Sequence, residues 1–142
     1  MDYKKSFEEI LSLQNAGAFN ERKHLDDEEH RIQCSCVNWF RYQYPRYSLN
    51  LFAVPNGGRR DKVTAGKLKA EGVVAGVSDL ILALRTDEFG ALFIEMKTEK
   101  GRQSESQKEW QRKIEQDGYK YVVCHSLEEF ITEINNYIIN II

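Results

Sequence analysis

The stretch Gly76-Val77-Ser78-Asp79-Leu80-Ile81-Leu82-Ala83-Leu84, resumed after Thr86-Asp87-Glu88-Phe89-Gly90 as Ala91-Leu92-Phe93-Ile94-Glu95-Met96-Lys97, decides how this chain is read. Each apolar run has the length of a buried strand, and the polar segment between them has the composition of a hairpin turn. Asp79 stands near the start of the first run and Glu95-Met96-Lys97 closes the second. An unpaired buried carboxylate is costly to desolvate, so acids at the ends of apolar strands need a purpose. Because side chains alternate along a strand, Glu95 and Lys97 face the same space. Two carboxylates and an ammonium meeting at adjacent strand ends offer hard oxygens for a divalent cation beside a positive charge. That combination suits metal-assisted phosphodiester hydrolysis.

The same residues carry a resemblance. Asp79 followed by Glu95-x-Lys97 resembles the pattern of the PD-(D/E)XK nuclease superfamily. The ordered string Val54-Pro55-Asn56-Gly57-Gly58, Gly72-x-x-x-Gly76-x-x-Asp79, Phe93-Ile94-Glu95-Met96-Lys97, Gln107-x-x-Trp110 and Gly118 is similar to the VRR-NUC (virus-type replication-repair nuclease) family. The likeness runs from about Glu29 to about Phe130. Ser78 stands where the superfamily name has proline, a position that shapes backbone rather than chemistry. The resemblance implies a restriction-endonuclease-like α/β core, a mixed sheet flanked by helices. It also implies Mg²⁺ or Mn²⁺ as cofactor and DNA as partner, branched or flapped forms in particular, in replication, repair or phage genomes.

On this reading Asp79 and Glu95 hold the ion, and the Met96 backbone carbonyl is a further ligand because it projects along the strand edge. Lys97 orients the attacking water or stabilises developing charge. The resemblance places a glutamate just before Ile32-Gln33, which points to Glu29 as an additional ligand, with Glu28 competing. Glu29 has a bland alternative, since Asp26-x-x-Glu29 has the spacing of a helix capping box. Gln107 is open in the same way. The resemblance sets it near the scissile phosphate, with Trp110 in the core, while Ser104-x-x-Gln107 is also a capping box.

The 142 residues suit one domain, able to bury roughly two-thirds of its unfolded surface. A net charge of −2 argues against a generic basic coat for nucleic acid, yet the charge is uneven. Arg59, Arg60, Lys62, Lys67 and Lys69 cluster against the single acid Asp61, immediately after the Asn56 turn. Asn56 and these cations read as a phosphate-contacting patch; a solvated face is the plain alternative. The cysteines Cys34, Cys36 and Cys124 are odd in number and lack metal-ligand spacing, which fits a reducing cytoplasm. No apolar stretch reaches membrane-spanning length. His24, His30 and His125 have no ligand spacing and read as surface residues.

Periodicity predicts a helix over Tyr3–Asn15 in a 1–25 extension, followed by a nuclease domain over 26–142. Within that domain it predicts a helix over Asp27–Tyr42 and a strand over Leu49–Val54. A short helix over Lys62–Glu71 and the two acid-bearing strands follow. The remaining elements are a helix over Ser104–Asp117, a strand over Tyr121–Cys124 and a terminal helix opened by Ser126. Tyr42, Tyr44 and Tyr47 are read as packing beneath the sheet. The apolar end Tyr137-Ile138-Ile139-Asn140-Ile141-Ile142 and the two-fold symmetry of junction substrates lead to the expectation of a homodimer. Two rival readings are a DNA-binding subunit without catalysis and a metal-binding structural or regulatory protein.

Overall fold

The computed structural model describes residues 24–55 and 61–141. Its elements are α1 (His24–Gln43), a 3-10 turn (Pro45–Tyr47), β1 (Leu51–Ala53), α2 (Lys62–Ala70), β2 (Leu80–Leu82), β3 (Leu92–Met96), α3 (Glu105–Gln116), β4 (Lys120–Cys124) and α4 (Leu127–Ile138). This is the element order expected from periodicity. The helix expected over Tyr3–Asn15 lies outside the described residues, as do Asn56, Arg59 and Arg60.

The four strands form one sheet in the order β1-β2-β3-β4. β1 and β3 both run antiparallel to β2, and β4 runs parallel to β3. The β2–β3 turn is held by Thr86, whose Oγ1 accepts the amides of Glu88 at 3.2 Å and Phe89 at 2.9 Å. A short polar side chain competing for local amides is what closes such a turn. Parallel pairing needs a long crossover, and α3 carries it.

Alternation along β3 divides the molecule into layers. Leu92, Ile94 and Met96 point to one face, where Leu80, Leu82 and Cys124 join Cys36, Trp39 and Phe40 of α1 and Phe130, Ile134 and Tyr137 of α4 in the core. Trp39 meets Phe130 edge to face at 6.1 Å. Phe93 and Glu95 point to the other face, which α3 covers: Trp110 packs edge-on against Phe93 at 5.0 Å. The result is a three-layer mixed α/β arrangement with four α-helices among the described residues.

Details differ from the sequence reading in instructive ways. α1 already begins at His24, so Asp26 lies inside the helix and is not its N-cap. Trp110 is half-buried against one sheet face rather than in the main core. Tyr44 packs on Trp39 and Phe40, and its hydroxyl donates to Asn135 at 2.6 Å, but Tyr42 is exposed. At the end of the chain Tyr137 is buried while Ile139 is 82% exposed. Ser78, in the proline position, is fully buried and its hydroxyl donates to the Leu80 carbonyl at 3.1 Å. A buried polar group so satisfied carries little penalty.

Candidate active site

The three-layer arrangement sets one end of the sheet open between α2 and α3. A cleft of about 580 Å³ lies there, lined by Asp79, Glu95, Lys97, Gln107, Glu29 and Lys69 together with aliphatic residues from Ala65 to Val77. Asp79 reaches it from just before β2. One of its oxygens, Oδ2, accepts the Met96 amide at 2.7 Å, so the end of β3 fixes the carboxylate. Glu95 projects from the opposite side of β3 to the core and is only 1% exposed.

Glu95 is held asymmetrically. Its Oε1 accepts from the Gln107 side-chain amide at 2.9 Å and faces the Lys97 ammonium at 3.4 Å. Its Oε2 has no hydrogen-bond partner although it is buried. Burial pushes the Glu95 carboxyl up to about 8, and the neighbouring Asp79 charge adds to this while Lys97 opposes it. Asp79 is near enough for its charge to disfavour ionisation of Glu95. Two carboxyl groups crowded in a low-dielectric floor, too close for both to ionise readily and with one oxygen unanswered, make a site that a cation would complete.

Gln107 serves two structures at once. Ser104 caps α3 by accepting the Gln107 amide, and Gln107 Oε1 accepts the Ser104 amide at 2.8 Å, a complete capping box. The Nε2 end of the same side chain is the donor to Glu95. The two readings of Gln107 left open by spacing are therefore both realised. The start of α3 is pressed against the residues before β2 because Gly76, at φ +89°, leaves no room for a Cβ beside the Ser106 carbonyl.

The remaining residues named from the sequence are less concentrated. Glu29 lines the cleft from α1 and Lys69 lines it from α2, while Lys62 and Lys67 lie exposed on α2. Among the described residues, no three His, Cys, Asp or Glu side chains gather tightly enough to hold an ion by themselves. The donors at the floor are Asp79 and Glu95.

These features can be set against known proteins. The family model of the VRR-NUC domain matches residues 19–128. The chain belongs to the VRR-NUC family. A solved structure described as a VRR_NUC domain protein is similar at 27% identity and a TM-score of 0.70, covering 79% of this chain and 88% of that one. No curated protein matches. Membership of the VRR-NUC family implies a nuclease type of DNA-processing function, with DNA as the partner. Among the described residues no helix is long and apolar enough to cross a membrane.

Sequence reasoning missed one polar cluster of this VRR-NUC fold. Tyr121 pairs with Phe93 in the β3–β4 register, which places it diagonally beside Glu95 on the α3 face. Its hydroxyl accepts from Gln103 at 3.3 Å, and Gln103 also donates to Gln111 at 2.9 Å. Burial, and next the Glu95 charge, raise the Tyr121 hydroxyl well above its ordinary value. No local pattern marks Tyr121, because its neighbourhood is created by a parallel pairing across a helix.

Proposed function

We propose that this chain is a divalent-metal-dependent nuclease, on a PD-(D/E)XK restriction-endonuclease-like core, that hydrolyses DNA phosphodiester bonds in branched, flapped or junction DNA. The observation that carries this reading is the buried, unpartnered Glu95 Oε2 beside Asp79 at the floor of an open cleft. The donor set fits Mg²⁺ or Mn²⁺: carboxylate oxygens from Asp79 and Glu95, with the Met96 carbonyl and Glu29 as further ligands. A bound ion supplies Lewis-acid activation of water and charge to offset that developing on the phosphate.

The chain's own groups do the rest. The Met96 amide fixes Asp79, and Gln107 and Lys97 hold Glu95 Oε1, so Oε2 is left aimed at a ligand. Lys97, with a side chain 14% exposed, keeps an ammonium at the place where the phosphate must lie. Such a preorganised cation stabilises charge that grows in the transition state. Lys62, Lys67 and Lys69, with Asn56, Arg59 and Arg60, contact the phosphate backbone and make binding salt-sensitive. A junction substrate with two symmetric strands favours action as a homodimer. A subunit that only bound DNA would have no use for a buried carboxylate lacking a partner, which counts against that rival.

The test is nicking of a labelled branched DNA with Mg²⁺, with Mn²⁺ and with chelator. Cleavage that depends on the ion supports the reading, and no cleavage with either ion on any DNA form overturns it.

A further inference from the structure

Resting on the nuclease reading above, we infer that the cleft accepts an unpaired nucleotide next to the cut phosphate, its base lying against an aliphatic wall formed by Leu68, Val73 and Val74. These side chains line the same cleft as Asp79 and Glu95, yet none of them belongs to the hydrophobic core. Val73 is 37% and Val74 53% exposed beside a charged floor. Folding does not account for that placement, since apolar groups gain only when covered.

The wall is held in place. Leu68 stands on α2, and Val73 and Val74 lie on the loop between Gly72 at φ +105° and Gly76 at φ +89°, both conformations that suit glycine. Gly76 abuts the Ser106 backbone one residue from Gln107, so the loop and the carboxylate floor share an anchor. Lys69 of α2 lies on the same rim.

The chemistry of the wall selects its occupant. Aliphatic groups neither bind phosphate nor read the hydrogen-bonding edges of bases. What they can cover in an unpaired nucleotide, and not in a duplex, is the face of a base. In a duplex both faces of each base are stacked, so none is available to a wall at the depth of the cleft. The cleft volume of about 580 Å³ has room for a single nucleotide beside the carboxylate floor. Among the branched, flapped and junction forms proposed above, the substrates are therefore those with a nucleotide unpaired at the cut, without base-sequence preference, and a fully paired linear duplex is excluded.

The experiment compares wild type with the double variant Val73→Ser/Val74→Ser and with Val63→Ser, an 83% exposed control on α2 outside the cleft. Binding of a labelled single strand and of a duplex is measured in Ca²⁺, cleavage of single-stranded, flapped and fully paired DNA in Mn²⁺, and folding by circular dichroism. The double variant should bind the single strand about fivefold more weakly and raise KM alike, the size expected for a few partly covered methyl groups. Duplex affinity and the Val63→Ser control should not change. An abasic residue beside the cut should cost wild type the same factor and the double variant nothing further. Equal cleavage of fully paired and flapped DNA, or unchanged single-strand binding by the folded double variant, overturns the wall even if cleavage persists. Selective loss of single-strand binding without cleavage of any DNA supports the wall and refutes the nuclease reading.

Discussion

Gln107 donates from Nε2 to Glu95 Oε1 at 2.9 Å while its own Oε1 accepts the Ser104 amide at 2.8 Å, so one side chain joins the cap of α3 to the carboxylate floor. Gln107→Ala should lose both, destabilising the protein by about 1–2 kcal/mol for the cap and a buried hydrogen bond. Gln107→Glu separates them. It keeps an acceptor for Ser104 but sets a negative charge against Glu95, so divalent-ion affinity measured by calorimetry should change while helix content stays constant. Equal stability of Gln107→Ala and wild type would contradict the shared role.

The raised Glu95 carboxyl predicts a pH dependence. Folding moves it from an ordinary 4.5 to about 8, so between these values the folded chain holds a proton that the unfolded chain has released. Stability should therefore fall as pH rises through that window and level off above it. Glu95→Gln should be more stable than wild type by on the order of 1–3 kcal/mol at about pH 9, and nearly equal to it at about pH 4. Saturating Ca²⁺ should shrink the wild-type loss. Denaturant midpoints across pH, with chelator and with Ca²⁺, provide the check; a wild-type curve that rises over the window would refute the assignment.

Lys97→Met removes the ammonium 3.4 Å from Glu95 Oε1 while keeping a stem of similar length. Turnover should fall about 10²–10³-fold, the range for losing one preorganised donor, with a smaller change in the ion concentration needed for half-activity. A large shift in that concentration with an unchanged saturated rate would make Lys97 a support for ion binding instead.

Gly76→Ala should destabilise by at least about 1–2 kcal/mol, because φ +89° disfavours a Cβ and the Ser106 carbonyl occupies its space. Gly72→Ala meets no such neighbour and should cost less. Thermal unfolding of the two variants distinguishes the close approach from the backbone preference.

Much of this architecture was legible because its signals are local. Ser104 and Gln107 announce the start of α3 by spacing alone. Glu129 shows the limit of such a signal: Ser126 accepts its amide at 3.1 Å, but its carboxylate reaches past the cap to the His125 amide at 2.6 Å. The acids at strand ends were readable because burying them needs a reason. What could not be read depends on long-range pairing. Tyr121 becomes a neighbour of Glu95 only through the parallel β3–β4 register, and Val73 and Val74 become a wall only when Gly76 pins their loop to α3. Asp26 read as a cap because its spacing to Glu29 is right, yet α1 extends back to His24.

The most direct test of the central claim is cleavage of one labelled flapped DNA in saturating Mn²⁺ by wild type and by Asp79→Asn. Asparagine keeps an acceptor for the Met96 amide, so the fold is preserved while the charge that would hold the ion is removed. Wild type should cut and Asp79→Asn should fall at least about 10³-fold, with its single-strand binding in Ca²⁺ retained to within a modest factor. Cutting by Asp79→Asn at the wild-type rate, or none by wild type, would contradict the account.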